Sequence, residues 1–122
     1  MANVLLVADA EWVRNDIEAA ISDPTTSVTV LDDPARAATV AARTRFDLIV
    51  VDMQVKSMGG MAIIRLLRDA MATQEMEPVP IILLLDRAVD SFLAKRAGAS
   101  AHLIKPISAQ AFRSTVDALT PV

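Results

Sequence analysis

The chain has no cysteine, so disulfide scaffolds, thiolate zinc sites and catalytic thiols are excluded, and a reducing cytosol suits it as well as any compartment. Its single histidine, His102, cannot build a metal site alone. It has no basic excess either. Against 15 Asp and Glu there are 12 Lys and Arg, a formal net charge of −3, and no cationic run beyond an isolated pair. That leaves no basic excess to neutralise a phosphate backbone, and direct nucleic-acid binding is not expected.

Long apolar runs are also missing. The first one is broken by Asp9 and has no basic region before it, so it does not read as a signal peptide. No stretch approaches the length of a membrane span. With 3 glycines, two of them the adjacent Gly59 and Gly60, there is no glycine-rich phosphate loop. No nucleophile and base are spaced as a catalytic pair, so a metabolic enzyme lacks support. The expectation is a soluble, cytoplasmic, non-enzymatic protein.

What the chain does have is apolar content. At 122 residues and 53% hydrophobic it can fill one core, which predicts a single domain over 1–122. Short runs rich in β-branched residues recur at 4–8, 28–31, 48–51, 81–85 and 102–104. Most are continuous rather than alternating, the pattern of strands covered on both faces of a parallel sheet. The run at 28–31 is shorter and includes Thr29, which predicts a peripheral strand.

Helical patterns lie between the runs. Trp12, Ile17, Ala20 and Ile21 recur on one face before the Asp23-Pro24 breaker. Asp33-Pro34 supplies an N-cap and a first-turn proline for an alanine-rich helix to Arg43. Met61, Ile64, Leu67 and Met71 mark a third helix after a glycine turn, and Val89, Leu93 and Ala97 a fourth, closed by Gly98. Ser108 caps a fifth through Phe112, Val116 and Leu119. Five alternations of strand and helix predict an α/β fold: a doubly wound, five-stranded parallel sheet with helices on both faces.

Sites in such sheets form outside the carboxyl ends of the strands. Asp9 follows the first run, Asp52 ends the third, Asp86 follows the fourth and Lys105 the fifth. Two carboxylates brought together repel unless a cation lies between them, and Mg²⁺ is the hard cation that carboxylate oxygens suit. A lysine opposite would neutralise an added phosphoryl oxygen as a point charge. Capping of helices is the competing role for Asp9 and Asp86.

Five stretches carry a more specific signal: Val-Leu-Leu-Val-Ala-Asp-Ala-Glu at 4–11, Phe-Asp-Leu-Ile-Val-Val-Asp at 46–52, Met-Gly-Gly-Met at 58–61, Ala97-Gly98-Ala99 and Ile104-Lys105-Pro106. In this order and spacing the chain resembles the receiver domain of two-component response regulators, of flavodoxin-like fold. The resemblance implies that Asp52 accepts a phosphoryl group from a histidine kinase or phosphotransfer protein, with Lys105 contacting that group. It also implies Mg²⁺ held by Asp52, Asp9 and the backbone carbonyl of Gln54, and a Lys105-Pro106 bond of the kind that is often cis. It implies no membrane and a protein target not identified by sequence, and it leaves a homodimer open. Because the chain ends after the fifth helix, no output domain is expected.

Several positions depart from that family. Ala10 replaces the second of two acids, leaving Glu11 as the nearest substitute, so Mg²⁺ binding is expected to be weak or absent. Leu85 replaces a hydroxyl residue and cannot donate its hydrogen bond. Asp86 adds a negative charge where a dianion would arrive. A like-charge pair about 4 Å apart costs on the order of 4 kcal/mol at an effective dielectric near 20. His102 replaces an aromatic switch residue, with a surface position as its plainer role. Lys56 brings a cation beside Asp52, and Trp12 is either a cover for the acids or a packing residue of the first helix.

Two readings follow. One is a phosphorelay receiver with Asp52 as acceptor, acting by protein docking. The other is a degenerate pseudo-receiver, an interaction module not controlled by phosphorylation. Leu85, Asp86 and His102 together predict poor coupling between Asp52 and the surface of the fourth helix and fifth strand.

Overall fold

The computed structural model describes residues 2–21 and 23–119. Five strands, β1 (Ala2–Val7), β2 (Thr26–Leu31), β3 (Leu48–Asp52), β6 (Ile81–Leu85) and β7 (Ala101–Ile104), form one sheet in the order β2-β1-β3-β6-β7. All neighbours in it are parallel. The helices are α1 (Glu11–Ala20), α2 (Pro34–Arg43), α3 (Gly60–Thr73), α4 (Ser91–Ala97) and α5 (Ala109–Leu119). A two-stranded antiparallel ribbon, β4 (Gln54–Val55) with β5 (Met58–Gly59), separates β3 from α3. The fourth and fifth runs of the sequence are thus β6 and β7.

Alternate residues of the strands feed two separate cores, because successive side chains point to opposite faces. Leu5, Val7, Ile49, Val51, Leu83 and Leu85 pack under α2, α3 and α4 with Ala37, Ile63, Ile64 and Leu67. Leu6, Val50, Ile82, Leu84 and Leu103 pack under α1 and α5 with Val13, Ile17 and Phe112. Each fully buried leucine or isoleucine contributes roughly 1.5 to 3 kcal/mol. The flavodoxin-like α/β sheet expected from the five alternations is present, with β2 at one edge and β7 at the other.

Local chemistry sets the element ends. Asp33 Oδ1 accepts the Ala35 N–H at 3.1 Å, capping α2 ahead of Pro34. Ser108 Oγ accepts the Ala111 N–H at 3.0 Å, capping α5. Gly98, at φ 81°, ends α4 in the left-handed region that favours glycine. Gly60 opens α3 where a Cβ would come within 3.2 Å of the Asp52 carbonyl oxygen, so the close approach of α3 to the end of β3 requires glycine.

The fourth helix is shorter than its apolar spacing suggests. Val89 lies in a 3-10 turn, Ala88–Asp90, is 67% exposed and takes no part in the helix face. Ala94 is the buried residue of α4. Likewise Ile63, not Met61, completes the buried face of α3. In both cases a two-turn apolar spacing was compatible with more than one helix phase.

At the amino-terminal edge, the Asn3 N–H donates to Asp47 Oδ2 at 2.8 Å and the Asp47 N–H donates to the Asn3 carbonyl at 2.8 Å. This reciprocal pair joins the starts of β1 and β3.

Candidate functional site

Lys105 begins where β7 ends, and its N–H donates to the Leu85 carbonyl at 2.9 Å, continuing the β6–β7 ladder by one rung. Its side chain crosses to the end of β3, where the ammonium contacts Asp52 Oδ1. It also lies 3.0 Å from Asp86 Oδ1. Strand alternation explains the meeting. Asp52 follows Val50, Asp86 follows Leu84 and Lys105 follows Leu103, all on the α1/α5 face. The Lys105-Pro106 bond is cis.

Asp52 is 3% exposed and Lys105 is nearly as covered. Burial pushes the Asp52 carboxyl above its usual range, while the Lys105 ammonium and the Met53 N–H, 2.8 Å from Oδ1, pull it back without prevailing. The charge of Asp86 adds to the upward shift. For Lys105, burial works against the ammonium, but Asp52 and Asp86 together outweigh it and raise its pKa above the usual lysine value. Both contacts of Asp52 fall on Oδ1, which leaves Oδ2 as the oxygen open to chemistry.

Trp12 projects from the first turn of α1 and is 52% exposed, with its ring centroid 5.4 Å from Lys105 Nζ. Of the two roles open to it in the sequence, packing into the core is excluded, and the ring flanks the site.

Asp9 takes a different direction. Its Oδ2 accepts the Lys56 N–H at 2.7 Å, from a residue held at φ 53°. The Lys56 ammonium lies 3.8 Å from Asp32 Oδ2, so the cation expected beside Asp52 is paired with Asp32 instead. Asp9 and Glu11 line a surface cleft of about 440 Å³ with Arg14, Asp32 and Arg36, between the starts of α1 and α2. Ala10, the position of the absent acid, packs on the α1/α5 face that Asp52 shares.

Gln54 is exposed in β4, and its side chain donates to the Lys56 carbonyl at 3.0 Å. Leu85 is fully buried and meets the site only through its backbone oxygen. His102 is exposed on β7 beside Phe92 and Lys95 of α4, the surface position that was its plainer role.

The residues as arranged fit a divalent cation poorly. Asp52 Oδ1 is taken by Lys105, Asp9 Oδ2 by a backbone N–H, and Ala10 brings no oxygen. Among the described residues no three of Asp, Glu and His gather closely enough to hold a metal ion. Among them, too, no helix is long and apolar enough to cross a membrane.

This arrangement, a buried strand-end carboxylate facing a lysine on a doubly wound sheet, agrees with what comparison of the whole chain finds. Residues 4–117 match the response regulator receiver domain, and the chain belongs to that family. It is 31% identical over 116 residues to the transcriptional activator protein PfeR of Pseudomonas aeruginosa, covering 95% of this chain and 37% of that protein. It is 32% identical over 119 residues to the response regulator PleD of Caulobacter vibrioides, covering 98% of this chain and 26% of that one. The chain thus spans well under half the length of these curated relatives.

Among solved structures, it is similar to the chemotaxis response regulator CheY4 of Vibrio cholerae, with a TM-score of 0.83 and 26% identity over 98% of this chain and 99% of that one. It is also similar to the receiver domain of the sensor histidine kinase PA1611 from Pseudomonas aeruginosa. There the TM-score is 0.81, the identity 28% and the coverage 96% and 95%, and that structure has a magnesium ion coordinated in its active site cleft. The chain is a receiver domain of two-component signalling.

Proposed function

We propose that Asp52 accepts a phosphoryl group and that the protein signals by docking to protein partners. The observation that carries this reading is the contact between the buried Asp52 carboxylate and the Lys105 ammonium at the strand ends. Asp52 Oδ2 attacks the phosphorus of a phosphohistidine. The P–O bond forms, the P–N bond breaks, and the electron pair of the broken bond stays on the imidazole nitrogen. The product is an aspartyl phosphate. Lys105 supplies charge to the phosphoryl oxygens throughout, so the protein's part is positioning and electrostatic compensation.

The donor on this reading is a histidine kinase or a phosphotransfer protein, and the setting is cytoplasmic. Residues 1–122 act as the receiver unit. The output is a protein target, and self-association is one form that docking can take.

A second reading has a specific observation in its favour. Asp86 already holds Lys105 at 3.0 Å and Leu85 offers no hydroxyl, which suits a pseudo-receiver whose docking surface does not depend on phosphorylation. Intact mass after incubation with acetyl phosphate, with and without Mg²⁺, separates the two. Acceptance predicts the gain of one phosphoryl group that is lost in Asp52→Asn. No gain under any donor, phosphohistidine protein included, favours the pseudo-receiver.

A further inference from the structure

The loss of a hydroxyl at Leu85 removes one way for the site to communicate with α4, but the structure contains another carboxylate in the right place to do so. Asp86 is the first residue after β6, and its side chain is 61% exposed, so water is available on one side and Lys105 on the other. The chain from Asp86 runs directly into the 3-10 turn Ala88–Asp90 and then α4. Arg87 is tied to Asp90 by an Nε–Oδ2 contact of 3.3 Å, so the turn and the first residues after Asp86 form one short unit. That unit presents Val89 and Phe92, exposed to 67% and 54%.

Two carboxylates share one ammonium here, and the balance between them depends on the charge at Asp52. A phosphoryl group would carry more charge than the carboxylate it replaces and three more acceptor oxygens. Lys105 would bind it in preference to Asp86, and the same dianion would repel Asp86 at close range. Both effects act in one direction. They are differential contacts between two states, which is what a switch requires.

We propose that Asp86 is the sensor of this site: an anion arriving on Asp52 takes Lys105 away from Asp86, the Asp86 carboxylate swings outward to solvent, and the segment from Arg87 to Leu93 moves with it. The inference rests on the reading of Asp52 as the acceptor and names how that site is read out. The response follows the backbone from Asp86 into α4. The change is delivered to Val89 and Phe92, the apolar side chains that docking would use.

The test is backbone amide NMR of the full chain with beryllofluoride as the probe, for wild type, Asp86→Ala and Asp86→Glu. In wild type, beryllofluoride is expected to shift the amides of Met53 and Lys105 and those from Val89 to Leu93. Asp86→Ala without ligand should already show Val89 to Leu93 displaced in the same direction, and beryllofluoride should then move Met53 and Lys105 alone. Asp86→Glu should restore the full response. Equal ligand-induced shifts at Val89 to Leu93 in wild type and Asp86→Ala overturn the proposal, as do wild-type shifts confined to the neighbourhood of Asp52. If beryllofluoride leaves Met53 and Lys105 unmoved, the acceptor reading is what fails. The sensor role of Asp86 is then judged on the ligand-free proteins, where displacement of Val89 to Leu93 in Asp86→Ala supports it and their staying in place overturns it.

Discussion

The Trp12 ring lies 5.4 Å from the Lys105 ammonium, on the flank of the site that Asp52 and Asp86 leave uncovered. The indole face carries the negative part of its quadrupole, so Lys105 is surrounded by two carboxylates and one aromatic face. Trp12 is the only tryptophan, which makes its emission a report on this one lysine.

Replacing Trp12 by Leu is expected to cost about 0.5 to 1 kcal/mol, the value of an exposed cation–π pair. Urea unfolding with an unchanged slope would measure it. A loss several times larger would mean that the ring supports the core, contrary to its exposure. Lys105→Met should alter Trp12 emission in the folded state and leave the unfolded spectrum unchanged.

The raised pKa of Asp52 gives a signed prediction for stability against pH. A carboxyl that binds its proton more tightly when folded contributes stability below its unfolded pKa, and loses it as pH rises through the folded value. Asp52→Asn does not pay that loss. The variant should therefore match wild type in acid and become the more stable protein as pH rises to neutrality, with the gap then constant. Melting temperatures across that range decide it, and a variant less stable at neutral pH contradicts the assignment.

Divalent-cation affinity should respond to Ala10, because that position shares the face of Asp52 whereas Asp9 is bound to the Lys56 N–H. Wild type is expected to bind Mg²⁺ weakly. Ala10→Asp should tighten binding about tenfold, equivalent to about 1.4 kcal/mol. Glu11→Gln should leave affinity unchanged, since Glu11 lines the cleft beside Arg14 and Arg36. Mn²⁺-induced line broadening at Met53 is the readout, and broadening centred on the Glu11 cleft would relocate the site.

Arg68 joins α3 to two distant turns. Its guanidinium donates to the Val79 carbonyl at 2.7 Å and to the Gly98 carbonyl at 3.3 Å, which anchors the entry of β6 and the end of α4 together. Burial lowers its pKa, a sign that the charge is held in partly dry surroundings. Arg68→Met should cost about 2 kcal/mol, as charged donors to backbone oxygens do, and should speed hydrogen exchange at Ser100 and Ile81 first. Global loss without that local signature would point to packing alone.

The sheet was legible because continuous apolar runs such as 48–51 have only one common use, a strand buried on both faces. The edge position of β2 followed from Thr29 in a short apolar run, although the strand itself reaches back to Thr26. The meeting of Asp52 with Lys105 was legible too, from the place of Asp52 at the end of β3 and of Lys105 just after β7. Less was readable where a single residue decides direction. Asp9 lies one residue beyond the position that shares the face of Asp52, and sequence alone could not show that it would cap the loop at Lys56. Nor could it show that Asp86 would reach Lys105 rather than cap the turn that follows. The ribbon of β4 and β5 was missed because two-residue strands carry no periodicity. The four-residue spacing of Val89, Leu93 and Ala97 extends the fourth helix back to Val89, where the chain instead forms a 3-10 turn.

The reciprocal bonds between Asn3 and Asp47 have a bearing on the other end of the molecule. Strands that are apolar on both faces contain little in their own pattern to say which face is which, so a slide by one residue would bury almost as much surface. Such a slide in β3 would reverse its parity and turn Asp52 toward α3, where the neighbouring side chains are aliphatic and no ammonium waits. A polar clamp at Asp47, five positions before the acid, favours the alignment that aims Asp52 at Lys105. The orientation of the reactive carboxylate is thus set at the opposite, amino-terminal end of the strands, by the Asp47 side chain and the Asn3 backbone, which take no part in its chemistry.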